Sequence, residues 1–196
     1  MGREHGYTLI EVMLAVGLVG VLAAMVIPIT DTSLKATRLR GDAEAVRNLV
    51  GLAKMRASSR FTRARVMVDL DANTFVLQTW DRTADAWVND GGTHRTSAGV
   101  GFGFRLLSAP PPNTQVAIGQ SPLCTNGATA ADPIPNTACI IFNSRGLPVD
   151  SNGVLFSRHA LYISGEIGVF ATTVTATPLI RFWSSPPTTS AAWTAR

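Results

Sequence analysis

The residue with the clearest chemical significance in this sequence is Glu11, a carboxylate near the start of a long uncharged segment. Residues 12–30 carry no charged side chain. At about 1.5 Å per residue, a helix from Tyr7 to Thr30 would cover the roughly 30 Å of a bilayer core. An ionisable group inside lipid is costly and normally has both a function and a partner. The segment therefore predicts a membrane span that holds one functional charge.

The spacing around Glu11 suggests what that partner is. Cleavage of the peptide bond between Gly6 and Tyr7 would create an α-amino group on Tyr7, four residues before Glu11 and on the same helical face. This amine could pair with the carboxylate in its own chain or in a neighbouring copy. Pairing between copies would favour lateral polymerisation, because an unpaired charge in lipid costs more than a paired one.

The segment from Gly6 to Glu11, with the apolar run behind it, resembles the prepilin signal that type IV pilins share with the pseudopilins of type II secretion. The resemblance implies that residues 1–6 are a leader peptide and that a prepilin peptidase cuts after Gly6. It also implies methylation of the amine of Tyr7, which stands where the family usually has Phe. The residues then assigned to assembly are Thr8, Leu9, Ile10, Glu11 and Pro28.

Two simpler interpretations of the apolar segment stay open. A secretory signal has an apolar core of about 7 to 15 residues, whereas this run is longer and has an acid at its start. A membrane anchor that never polymerises fits the length and leaves Glu11 without a function. The flanking charges do not fix the topology, because Arg3 is opposed by Glu4 and Lys35 lies beyond the span.

The residues after the apolar run predict a second helix, over 31–60. Pro28 should kink or interrupt the first helix. The side of the second helix that lies opposite its apolar face is basic, since nine Lys or Arg and two acids lie between Lys35 and Arg65. Anionic lipid headgroups or acidic surfaces of neighbouring subunits could meet that side. The apolar residues recur at three- and four-residue steps and share one face: Leu39, Ala43, Val46, Val50, Ala53 and Ala57.

The remaining chain, 61–183, predicts a β-rich head. Residues 64–70 and 74–80 alternate in polarity and predict a hairpin with its turn at 71–73. The stretch 119–135 should be an exposed excursion, and 184–196 a flexible tail. Further short strands are expected at 86–88, 100–107, 138–143, 153–156, 160–164, 167–174 and 179–183.

Cys124 and Cys139, the two cysteines, are 15 residues apart. In an exported domain they could form a disulfide that contributes about 3 kcal/mol, and two free thiols are the alternative. Neither cysteine lies in a metal-binding pattern, so no metal or cofactor is expected. His94 and His159 lack a neighbouring nucleophile-and-carboxylate pattern, and an enzyme is not predicted.

The prepilin start, the amphipathic helix and the segment from Ile140 to Pro148 together resemble the GspH/FimT-type minor pseudopilins. Phe142 and Gly146 match the Phe-x-x-x-Gly element of that family. The resemblance implies an α+β, pilin-like fold in which a long amino-terminal helix packs on antiparallel sheets. It implies a low-copy subunit in the tip complex of a type II secretion pseudopilus or a type IV pilus. Such a subunit spans the bacterial inner membrane once, has a periplasmic head, and meets other pilins, membrane lipid and an inner-membrane assembly platform.

Some members of the family bind DNA for uptake through basic residues near a carboxyl-terminal Gly-Arg-Val-Arg element. Here the segment 177–181 retains only Arg181, and seven basic residues face eight acids from Val66 onward. Arg158, Arg181 and Arg196 could still converge beside a tryptophan that stacks on bases. A DNA-uptake receptor is therefore the alternative to a purely structural subunit.

Overall fold

A computed structural model describes residues 7–196, except for the side chains of residues 24–30. Within this part of the chain, one long helix precedes a series of short strands, which confirms the predicted α+β class. The elements are α1 (Leu9–Ser59), β1 (Ala64–Asp69), β2 (Thr74–Asp81), β3 (Ala86–Asn89), β4 (His94–Arg95), β5 (Gly101–Phe102), β6 (Thr137–Phe142), β7 (Pro148–Val149), β8 (His159–Gly165), β9 (Gly168–Val174), β10 (Ile180–Ser185) and β11 (Thr194–Ala195).

Helix α1 is continuous over 51 residues, and the predicted interruption at Pro28 is wrong. A proline inside a helix removes one amide donor and crowds the preceding turn. That loss is small beside the many hydrogen bonds that hold the turns on both sides of it. The segments 7–30 and 31–60, which the sequence separates, are therefore two halves of one element.

The strands form two antiparallel sheets. In the first sheet the order is β3-β2-β1-β6-β7, and β4 also pairs with β2. In the second sheet the order is β11-β10-β9-β8-β5. The predicted hairpin is confirmed as β1 and β2, with Val66 opposite Leu77. The strands expected near 86, 138, 160, 167 and 179 are present within a few residues.

Both sheets pack against the second half of α1. The six residues assigned to one helical face, from Leu39 to Ala57, are at most 2% exposed, which confirms that assignment. Val66 and Ile140 of the first sheet and Leu161 and Phe182 of the second sheet join them in one core. Burial of this face is what fixes the head on the helix.

Several segments differ from the expectation. Residues 153–156 form no strand, only a bridge between Leu155 and Val149, and the strand expected at 100–107 is reduced to β5. The tail is not detached, because β11 pairs with β10 and the Trp193 indole donates to the Ala109 carbonyl at 2.9 Å. The stretch 119–135 is only partly exposed, since Ser121, Cys124 and Thr125 are buried in it, whereas 129–133 are exposed.

Candidate assembly surface

Helix α1 begins with a capping box made by Thr8 and Glu11. The Thr8 hydroxyl oxygen accepts from the Glu11 amide at 3.3 Å, and Glu11 Oε2 accepts from the Thr8 amide and hydroxyl, both at 3.1 Å. These bonds satisfy amide groups that a helix start leaves free, and they place a negative charge at the positive end of the helix dipole. This role was not predicted from the sequence, although Thr-x-x-Glu is a known signature of it.

The capping box brings Glu11 close to the place where a processed chain would begin. Tyr7 directly precedes Thr8, lies outside the helix and has an 88% exposed side chain. An amine on Tyr7 would thus be one residue from the amide that Glu11 already contacts. The predicted leader 1–6, with the cleavage residue Gly6, lies outside the described residues, so the pairing of amine and carboxylate stays a prediction.

The first half of α1 is apolar on every side and is not covered by any other part of the described chain. Its ten large apolar side chains between Leu9 and Leu22 are each 52% to 77% exposed. A contiguous apolar surface of this extent is rare on a soluble monomer and marks a contact with lipid or protein. A helix that is hydrophobic all round is normally buried. Lipid or other helices must therefore cover this half.

The positions Gly17 and Gly20 are open on the same half of α1. No atom of the described residues lies within 4 Å of the point where a side chain would begin at either glycine. Small residues of this kind allow another helix to approach closely.

Among residues whose side chains the structure describes, no helix has the apolar length that crossing a membrane requires. Residues 24–30, which continue the apolar run in the sequence, belong to α1 without described side chains.

The basic side of the second half of α1 is largely occupied by contacts within the chain. Lys35 Nζ lies 2.7 Å from Asp31 and 3.0 Å from Glu166, and Arg40 lies 2.8 Å from Glu44. Hydrogen bonds to Asp31 and Glu166 raise the pKa of Lys35. Exposed pairs of this kind add little stability, but they neutralise charges that the sequence offered to lipid or to a partner.

Closer to the end of α1 the same pattern continues. Arg56 and Arg60 both lie against Asp90, at 3.2 and 3.3 Å, although the Arg56 contact lacks hydrogen-bond geometry and is purely ionic. Lys54 Nζ donates to the Pro178 carbonyl at 3.0 Å. The basic side therefore holds the head to the helix more than it recruits an outside anion.

The two cysteines are bonded in the structure. Cys124 and Cys139 form a disulfide, and both are buried with Ile141 and Val149. The Cys124 amide also donates to Thr137 Oγ1 at 3.0 Å. The bond fastens the stretch 119–135 over the face of the first sheet that points away from α1.

The arginines considered for DNA do not gather at one place. Arg196 lies opposite Phe182 in the register of β10 and β11, so alternation puts Arg181 on the other face of the second sheet. Arg158 precedes β8 at the sheet end and is exposed. Trp183, which was considered for base stacking, is buried and donates to Thr173 Oγ1 at 3.0 Å. This arrangement does not favour the DNA alternative.

His159 has a nucleophile beside it that the sequence did not reveal. Its Nδ1 lies 3.3 Å from Ser121 Oγ, and its Nε2 lies 3.1 Å from the Val149 carbonyl, which fits a neutral ring protonated at Nε2. Burial lowers the pKa of His159 to about 4. Both side chains are buried, so no substrate reaches them. The pair joins β8 to β7 and to the stretch 119–135.

Comparisons with known proteins give one sequence motif and two structures. Residues 1–27 match the family model of the prokaryotic N-terminal methylation motif. No curated protein matches the chain. The chain is similar to two structures of the minor pseudopilin EpsH from the type II secretion system of Vibrio cholerae. One has 12% identity and a TM-score of 0.47, and covers 74% of this chain and 95% of EpsH. The other has 10% identity and a TM-score of 0.48, and covers 79% and 95%.

Proposed function

We propose that this chain is a minor pilin or pseudopilin of the GspH/FimT type, a structural subunit of a type II secretion pseudopilus or of a type IV pilus tip. One observation carries the proposal: the methylation motif at residues 1–27 continues into a helix whose apolar side chains are exposed on every side. The motif predicts methylation of the new amino terminus, and the exposed apolar helix needs lipid or other helices around it. Together these features support a subunit that is stored in a membrane and later joins a helical bundle.

The mechanism begins with processing. A prepilin peptidase cuts after Gly6 on the cytoplasmic side of the inner membrane and the new amine of Tyr7 is methylated. The head lies in the periplasm, and the first half of α1 stays in the lipid. An assembly platform then moves the subunit into the filament, where the apolar halves of neighbouring helices replace lipid as its cover.

Glu11 has two roles in this mechanism. In its own chain the carboxylate caps α1 through Thr8. In the filament it accepts the Tyr7 amine of a neighbouring subunit, because a carboxylate surrounded by apolar helices is stable only when it is paired.

Mass spectrometry of the mature protein tests the processing step. We expect a chain that starts at Tyr7 with one added methyl group. A mature protein that retains Met1, or one cut near Ala24 like an ordinary secretory protein, would contradict the proposal.

Substitution of Glu11 separates its two roles. Glutamine at the third helical position can also complete a capping box, so Glu11→Gln keeps the cap and removes the charge, whereas Glu11→Ala removes both. We expect both variants to insert in the membrane and both to lose filament incorporation at least tenfold, measured by immunoblot of sheared filaments. Normal incorporation of Glu11→Gln would show that the cap alone matters and would exclude the ion pair.

A further inference from the structure

The first strand of the head carries a buried cation that no carboxylate of the described residues neutralises. Arg65 is 1% exposed and lies on the face of β1 that points away from α1. Its Nε donates to Gln78 Oε1 and its Nη1 to the Thr125 carbonyl, both at 2.7 Å. Its guanidinium lies 4.1 Å from the centroid of the Trp87 ring. The partners of this charge are thus neutral oxygens and an aromatic face.

A second guanidinium lies next to the first. Arg63 stacks over Trp80 at 5.0 Å and over Trp87 at 5.8 Å, and its Nη1 donates to the Ala128 carbonyl at 2.8 Å. Burial and, to a smaller degree, the charge of Arg63 together lower the pKa of Arg65 to about 9. Both groups remain charged at neutral pH. Two like charges therefore share one indole, with no carboxylate in salt-bridge distance of either among residues 7–196.

A recess opens beside Arg63. It has a volume of about 230 Å³, and no acidic side chain among residues 7–196 lines it. Arg82, which forms one wall, is exposed and uses Nη2 to donate to the Phe61 carbonyl. The six lining residues are Thr62, Arg63, Trp80, Arg82, Asn143 and Ser144.

Two other residues that line the recess offer further donors. Asn143 Oδ1 accepts from the Arg145 and Leu147 amides at 2.9 and 3.0 Å, which fixes the orientation of the side-chain amide. Its NH₂ group and the Ser144 hydroxyl make no hydrogen bond within the described chain. The recess thus combines two cations, Arg63 and Arg82, with two polar groups that have no hydrogen-bond partner within the described chain.

We propose that this recess binds one carboxylate of a neighbouring subunit, supplied by an Asp or Glu side chain. Two guanidinium groups, an amide NH₂ and a hydroxyl form a donor set suited to the two oxygens of a single carboxylate. An incoming anion also relieves the repulsion between Arg63 and Arg65. The identity of the partner as a subunit rests on the proposed function, whereas the carboxylate chemistry rests on the recess alone.

The surroundings of the recess favour a single carboxylate over a nucleic acid. Asp81 lies with Arg82 in the adjoining cleft, Asp85 acts on the charge of Arg63, and Asp90 occupies Arg56 and Arg60. A phosphate backbone gains affinity by neutralising several charges in a row. Acids on the flanks repel such a polyanion, while one side chain can enter between them.

Titration of the full-length protein in zwitterionic detergent tests the recess directly. The probe is the blocked peptide acetyl-Gly-Glu-Gly-amide, and the matched control is the same peptide with Gln. We expect the Nε–Hε NMR signals of Arg63 and Arg82 to shift with the Glu peptide, to saturate in the millimolar range, and to stay unshifted with the Gln peptide. Arg82→Gln should weaken binding about tenfold, and Arg158→Gln, at an exposed arginine elsewhere, should leave it unchanged.

Several outcomes overturn the proposal. These are equal shifts with both peptides, no shift with either, unchanged affinity in Arg82→Gln, or stronger binding of a ten-residue oligothymidylate than of the Glu peptide. In cells, Arg82→Gln should lower filament incorporation relative to Arg158→Gln, and equal incorporation would exclude the neighbouring subunit as partner. The peptide titration needs no filament, so its failure is distinguishable from a failure of Tyr7 processing.

Discussion

The two halves of α1 are covered in different ways. Apolar side chains surround the first half and nothing in the described chain packs on them, whereas the second half buries one face under both sheets and pairs much of its charge internally. A surface that the chain itself covers serves stability, and a surface that it leaves bare serves association. One continuous helix therefore carries a folding surface and an assembly surface in series.

A charge placed in each half gives the sharpest test of this contrast. Val50 is fully buried in the core and Val16 is exposed. We expect Val50→Asp to destabilise the head by about 4 kcal/mol or more, because a carboxylate would be buried without a partner. Val16→Asp should leave thermal unfolding of the head unchanged, followed by near-UV circular dichroism in detergent, and should abolish filament incorporation. Equal loss of head stability in both variants would contradict the distinction between a folding surface and an assembly surface on α1.

Acid should unfold the head and spare the first half of α1. His159 has a pKa of about 4 in the folded head against 6.5 for the ordinary group. The unfolded chain therefore binds a proton that the folded head excludes. The contribution of the neutral His159 ring to the free energy of unfolding is complete above pH 6.5 and is lost as the pH falls towards 4. The loss amounts to about 3 kcal/mol at most, at roughly 1.4 kcal/mol per pH unit.

The measurement is urea unfolding between pH 7 and pH 5, above the range in which ordinary carboxylates titrate. His159→Gln should flatten the dependence, and His94→Gln, at an exposed histidine, should retain it. The same slope in His159→Gln as in the parent would assign the effect to other groups.

The contact between the turn at Gly146 and the second half of α1 gives a smaller effect. Gly146 has φ +73°, and a Cβ there would lie 2.8 Å from Ser58 Oγ. Gly146→Ala should therefore cost about 2 kcal/mol from backbone strain and crowding. Ser58→Ala in the same chain should restore part of it in urea unfolding, and no restoration would attribute the whole cost to φ.

The smallest expected effect lies at the start of the first half. Thr8→Ala removes the cap and should cost about 1 kcal/mol locally, while Thr8→Ser, which keeps the capping hydroxyl, should cost nothing measurable. Hydrogen exchange at the amides of residues 9–12 measures this fraying, and the head should unfold as before. Unchanged exchange in Thr8→Ala would mean that detergent or lipid, not the capping box, holds the helix start.

Local patterns in the sequence were enough for the elements that bury one face. The three- and four-residue spacing from Leu39 to Ala57 identified the packed side of α1, because only one side of that half meets the sheets. Alternation in residues 64–80 identified the first hairpin for the same reason. The motif at 1–27 was readable because it is contiguous.

Features that depend on contacts between distant residues could not be predicted from the sequence. Lys35 is matched by Glu166, and Arg60 by Asp90, so the basic side that looked available was already partly occupied. Arg65 reads as an outward residue of an alternating strand, and it is buried because the disulfide-held stretch 119–135 covers it. The tail is ordered through β10, which no local pattern announces.

The continuity of α1 across Pro28 has a mechanical consequence. A helix of 51 residues measures about 76 Å, at 1.5 Å per residue. No loop interrupts α1 between its exposed first half and its covered second half, so axial force applied at one end is transmitted along one continuous helix. A pull on the head would reach the first half without first straightening a flexible linker.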